Sequence, residues 1–193
     1  MKNAFLLVFI LFVGSVQAQT KTDSITLVPQ SQLNAAQRLL SGNYASAVTV
    51  GAYAEMLYNQ PEGDNGELDV QRMVLLFGYR FNDKTQFVTE VELEHVNEIY
   101  VEQAFINYSV GSNVSLRGGL MLVPMGIVNE FHEPTTFNGT ERPGMDNAIV
   151  PTTWREIGIG VAGRFNNLNL GYQAYVFNGF KSTEANGEGG LSG

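Results

Sequence analysis

Three glutamates, Glu90, Glu92 and Glu94, stand at alternate positions in FVTEVELEHV, residues 87–96. A helix would scatter these carboxylates around its circumference. A strand sends all three to one face and Phe87, Val91 and Leu93 to the other. A second group with chemical potential is His132 beside Glu130 and Glu133, three residues able to ligate a divalent metal. The chain has only two histidines, His95 and His132, and no H-E-x-x-H spacing. The reading is therefore a hydrogen-bonded loop, with no metal and no cofactor expected. Nucleophilic catalysis is not expected either, because there is no cysteine, no G-x-S-x-G elbow and no histidine beside a convincing nucleophile.

The elements that would position these residues follow from periodicity. From Tyr44 onward apolar residues recur at every second position, first as Val48, Val50, Ala52, Ala54, Met56 and Tyr58. Further alternating runs cover Leu68–Phe81, the glutamate stretch, Ile99–Val110, Val114–Leu122, Trp154–Phe165 and Leu168–Asn178. Tight turns are expected at Asn82-Asp83, Gly111 to Asn113 and Asn166-Asn167. Longer connections fall at Pro61–Gly66 and Pro124–Thr153. Residues 30–40 have modest helical character, with Leu33, Ala36, Leu39 and Leu40 on about one face.

The chain begins with Lys2, an apolar run from Ala4 to Val13, and Val16-Gln17-Ala18. This pattern predicts a secretory signal peptide over residues 1–18. Its removal would take away Lys2 and no acid. That leaves 10 of the 11 basic residues against 19 acids, a formal charge of −9. Such a chain is not expected to bind nucleic acid. Charged residues make up only 16% of the sequence, against a usual ~25%. Low charge, export and the absence of a second long apolar run point to crossing a membrane by strands, if at all.

Two features favour an antiparallel transmembrane β-barrel over a soluble sandwich. The alternating runs suit tilted strands of ~9–11 residues crossing a bilayer, and short turns alternate with long loops. A charge facing lipid at the midplane costs ~2–4 kcal/mol. The glutamates are thus assigned to a water-filled interior, with Arg117 and Arg164 as further pore-lining residues. Glu156 is read either as another inward-facing acid or as one half of a salt bridge beside Trp154.

Several segments resemble the phosphate-selective porin O and P family of outer-membrane porins. They are LVPMGIVNE, HEPTTF and ERP in the long loop, IVPTTWREIGIGV on its return, and EVELEHV and YVEQAFINY upstream. The resemblance covers most of Tyr44 to Asn178. It implies a barrel of about 16 strands, usually a homotrimer, with one long loop folded inward. The counterpart of that loop is 124–153, with Glu130, His132, Glu133, Glu141 and Arg142 at a constriction. About seven strands are present here, so the chain reads as an N-terminal portion of such a porin. The division is a signal peptide 1–18, a periplasmic or plug segment 19–43, barrel strands 44–178 and a Gly-rich tail 179–193. Acids outnumber the inward basic residues, so phosphate is not the expected solute.

The expected function is passive diffusion of small hydrophilic solutes or ions through the bacterial outer membrane, with its lipid as surrounding partner. Two alternatives stand beside it. One is a small closed barrel with a structural or adhesive role, and the other is a secreted soluble β-sheet domain that binds ligand.

Overall fold

The two-residue alternation becomes seven antiparallel strands in the computed structural model, which describes residues 33–42, 46–139, 141–150 and 153–179. They are β1 (Val48–Asn59), β2 (Glu67–Arg80), β3 (Thr85–Glu94), β4 (Glu98–Gly111), β5 (Val114–Leu122), β6 (Arg155–Phe165) and β7 (Leu170–Phe177). Each pairs with its sequence neighbour in one sheet of order β1-β2-β3-β4-β5-β6-β7. The sheet is not closed into a barrel, and among the described residues β1 and β7 each have one paired side. The predicted signal peptide, Tyr44 and the Gly-rich tail beyond Gly179 lie outside the described residues. No described helix is long and apolar enough to cross a membrane.

The two faces differ in kind. Val48, Val50, Phe77, Ile106, Leu116, Ile159 and Val176 are exposed along one face. On the other face Val74, Val88, Glu90, Glu92 and Phe105 are buried. What buries them is a short helix, α1 (Ala35–Ser41), together with part of the long loop. Seven residues are too few to hold a helix in water unaided. Here Asn34 caps it: its side chain accepts from Gln37 N, and the Gln37 side chain accepts from Asn34 N. Ala35, Ala36 and Leu39 then pack against Val74, Leu76, Val88, Phe105 and Met121. Burial of Leu39 alone contributes about 1.5–3 kcal/mol.

Two backbone details set the inner surface. Gly119 pairs with Phe105 and has φ +138. A Cβ there would lie 2.4 Å from the Ala104 carbonyl oxygen, so only glycine fits. The second is a β-bulge. Glu90 pairs with Gln103 but Val91 pairs with Val101, leaving Glu102 as the extra residue on β4. Glu102 and Gln103 are consequently both buried, although they are adjacent in sequence.

The β6–β7 connection departs from the expected two-residue turn. Residues Asn166–Leu168 form a 3-10 turn and Asn169 takes the left-handed conformation at φ 49. Leu168 therefore belongs to the turn, and β7 starts at Leu170. Asparagine tolerates this backbone because its short polar side chain bonds locally, and here it accepts from Arg164.

Candidate functional site

The buried face of β1–β4 carries an unusual density of charge. Arg72 on β2 sits between two acids, donating from Nε to Glu55 Oε2 and from Nη1 to Glu92 Oε1, both at 2.9 Å. Glu90 accepts from Gln103 Nε2 at 2.5 Å, and its Oε1 has no hydrogen-bond partner among the described residues. Arg155, at the start of β6, donates to Glu102 Oε1 at 3.0 Å. Glu90 and Glu92 are 1% exposed and Glu102 is 3% exposed, so these charges face one another with little water between them.

The long loop closes over this face. Its neck is tied by Asn129, which is fully buried. Asn129 Nδ2 donates to the carbonyls of Val123 (2.7 Å) and Trp154 (2.8 Å), and its Oδ1 accepts from Trp154 N at 2.9 Å. One amide thus joins the two ends of a connection some thirty residues long. Asn129→Ala removes all three bonds and is expected to favour loop opening by roughly 2–3 kcal/mol. The check is limited proteolysis within residues 133–150, which should speed up by more than about tenfold.

Beyond the neck, three residues within four positions reach three different places. Glu130 Oε2 accepts from Gln173 Nε2 on β7 at 2.5 Å. A hydrogen-bonded group of Gln173, Tyr175, Arg117 and Asn107 continues from there across the sheet. Burial raises the Glu130 carboxyl above its ordinary value, offset in part by Gln173 and Arg117. His132 is 4% exposed and lies over the glutamates of β3 and β4. Burial pushes its imidazole down to about 4, so it is neutral at neutral pH. Glu133 accepts from Arg38 Nη2 of α1 at 2.5 Å, tying loop to helix.

The remaining sequence-selected residues are less central. Glu94 is half-buried at the end of β3. Glu156 accepts from Trp154 Nε1 at 3.3 Å, and Arg164 bonds Asn169 at the far end of the sheet. Arg142 pairs with Asp146 within the loop, and Glu141 is exposed. The metal possibility also changes its members. Glu130 and Glu133 are engaged elsewhere. Instead, one ring nitrogen of His132 and one carboxylate oxygen each from Glu92 and Glu102 lie within 4.8 Å of one another. Glu102 escaped the sequence reading because strict alternation from Gln103 places it on the apolar face.

Charge balance completes the description. Five carboxyl groups (Glu55, Glu90, Glu92, Glu102, Glu133) meet three guanidiniums (Arg38, Arg72, Arg155), so acidic side chains outnumber basic ones, and half-buried Glu94 adds to them at the edge. A different concavity, of about 650 Å³, lies along β4–β7 and is lined mainly by Ile106, Leu116, Ile159, Val161 and Val176. The polar end of Arg117 lies on the opposite face, bonded to Asn107 and Tyr175. That groove offers apolar contact and little chemistry.

Comparison with known proteins gives one informative similarity. The chain is 41% identical over 147 residues to an uncharacterized protein of Aquifex aeolicus (strain VF5), covering 71% of this chain and 33% of that protein. It thus spans about a third of the length of that relative. No protein-family model matches the chain, and no solved structure matches it.

Proposed function

We propose that this chain supplies part of the wall of an outer-membrane β-barrel through which small hydrophilic solutes or ions diffuse. One observation carries the reading. Across seven strands the middle of the exposed face is apolar, with charge at its alternating positions confined to strand ends such as Arg155, while the opposite face buries glutamates together with Arg72. A soluble sheet with one wet face shows the reverse, because charge is cheapest where water is. Strands of 8 to 14 residues fit the span of a tilted transmembrane strand.

The channel and its inward loop come from the resemblance to the porin O and P family, supported by the contacts of Glu130, His132 and Glu133 on the inner face. Trimeric assembly belongs to the same proposal. With an excess of acid on that face, cations should pass more readily than anions. A second reading is favoured by the apolar cluster around α1, which fills part of the inner surface: a plugged barrel with a structural role. Planar-bilayer recording from the intact full-length protein separates the two. Stepwise, cation-preferring conductance is expected, and a silent bilayer at high protein load would leave the structural reading in its place.

A further inference from the structure

We infer that His132, Glu102 and Glu92 form a binding site for a divalent transition-metal ion of the zinc class, which fastens the long loop to β3 and β4. Three independent observations converge. The first is proximity: a ring nitrogen and two carboxylate oxygens, one from each residue, lie mutually within 4.8 Å. Ligand atoms around a tetrahedral zinc at ~2.0–2.2 Å are roughly 3.4 Å apart, so side-chain closure of about an ångström completes the geometry.

The second is the tautomer of His132. Its Nδ1 lies 3.1 Å from the carbonyl oxygen of Asn129. A carbonyl only accepts, so Nδ1 carries the proton and Nε2 presents its lone pair. A histidine fixed by a backbone carbonyl on one nitrogen, with the other left for a metal, is the usual arrangement of a ligating imidazole. Both His132 Nε2 and Glu102 Oε2 are buried with no hydrogen-bond partner among the described residues. Buried polar atoms are rarely left so.

The third is charge. Each carboxylate already gives one oxygen to an arginine, Glu92 to Arg72 and Glu102 to Arg155, which orients it. The surrounding cluster has more carboxyl groups than guanidiniums, so it favours a bound cation. One nitrogen and two oxygens suit zinc and its transition-metal neighbours; calcium prefers six to eight oxygens and magnesium an octahedron of them. Three protein ligands leave a fourth position for water.

The site stands on these contacts and does not depend on the channel reading. The test is zinc binding by the intact protein purified without chelator, followed by metal analysis after dialysis against Zn2+. One equivalent per chain is expected, and His132→Ala and Glu102→Gln should each weaken binding by more than about tenfold. Glu130→Gln, whose carboxylate is bonded to Gln173, should retain the metal. Glu102→Gln keeps the side-chain volume, so it serves if His132→Ala fails to fold. Chelator should also speed proteolysis of the loop, and added Zn2+ should reverse this. No bound zinc, or zinc held equally by wild type and both ligand variants, would overturn the site. Conductance is read separately, so a silent bilayer with zinc bound would count against the channel and leave the site intact.

Discussion

Ile159→Arg is expected to lower folding stability in lipid vesicles by about 2–4 kcal/mol, the cost of a guanidinium against lipid near mid-span in the proposed barrel wall. Ile159 lies in the middle of β6, paired with Gly118 and Val176, and is 70% exposed. That exposure makes the test sharp. Were this face wetted by water, an exposed isoleucine exchanged for arginine would change stability by no more than ~0.5 kcal/mol. Glu141→Arg, at an exposed loop position, supplies the matched control and should be nearly silent in either setting. Equilibrium unfolding by denaturant in vesicles reads both variants. A null result at position 159 would remove the membrane-facing assignment of β6, and with it the main support for a barrel wall.

The second large effect lies on the opposite face. Arg72→Ala is expected to cost about 3–5 kcal/mol, because Glu55 and Glu92 lose their shared guanidinium while remaining enclosed. Most of that cost comes from the stranded carboxylates and not from the attraction removed. It follows that combining Arg72→Met with Glu55→Gln and Glu92→Gln should restore most of the loss, since the amides need far less solvation. Additive damage in the triple variant would instead show that the three side chains matter through packing alone. Denaturant titration of the single and triple variants distinguishes these outcomes.

Much of the sheet was legible because its information is local. Alternation placed Glu90 and Glu92 on one face, read as lining a water-filled interior, and Val48, Ile106 and Ile159 on the other; the structure keeps that division but buries the glutamates beneath α1 and the loop. A strand's side-chain period is strictly two, so each position inherits its face from its neighbour. The same rule explains the failure at Glu102. One bulged residue inverts the parity for everything before it on β4; its mark in the sequence is brief, a switch of apolar positions from Ile99 and Val101 to Ala104 and Ile106 across the adjacent polar pair Glu102-Gln103. The loop was legible in its polarity but not in its contacts. Glu130, His132 and Glu133 are close neighbours in sequence, yet they turn to β7, to β3 and β4, and to α1 respectively. Such divergence depends on the 3-10 turns at Asn129–Phe131 and Pro134–Thr136, whose directions arise from tertiary contacts that proximity in sequence does not report.

The nearest-neighbour order of the sheet also has a consequence for how the molecule assembles. Every ladder joins strands adjacent in the chain, so the sheet can grow hairpin by hairpin, with short loop closures everywhere except across the long β5–β6 connection. The exceptions are α1, which rests on β2, β3 and the more distant Met121 of β5, and loop residues 129–133, which reach β3, β4, β7 and α1. Apart from the Arg38–Glu133 pair between helix and loop, these contacts need strands already in place. Docking of helix and loop is therefore expected to follow the sheet in folding, with the buried charge cluster sealed only then. An extended chain can complete its hydrogen-bonded framework while its glutamates are still hydrated, and the dehydration of those carboxylates is deferred to the final step.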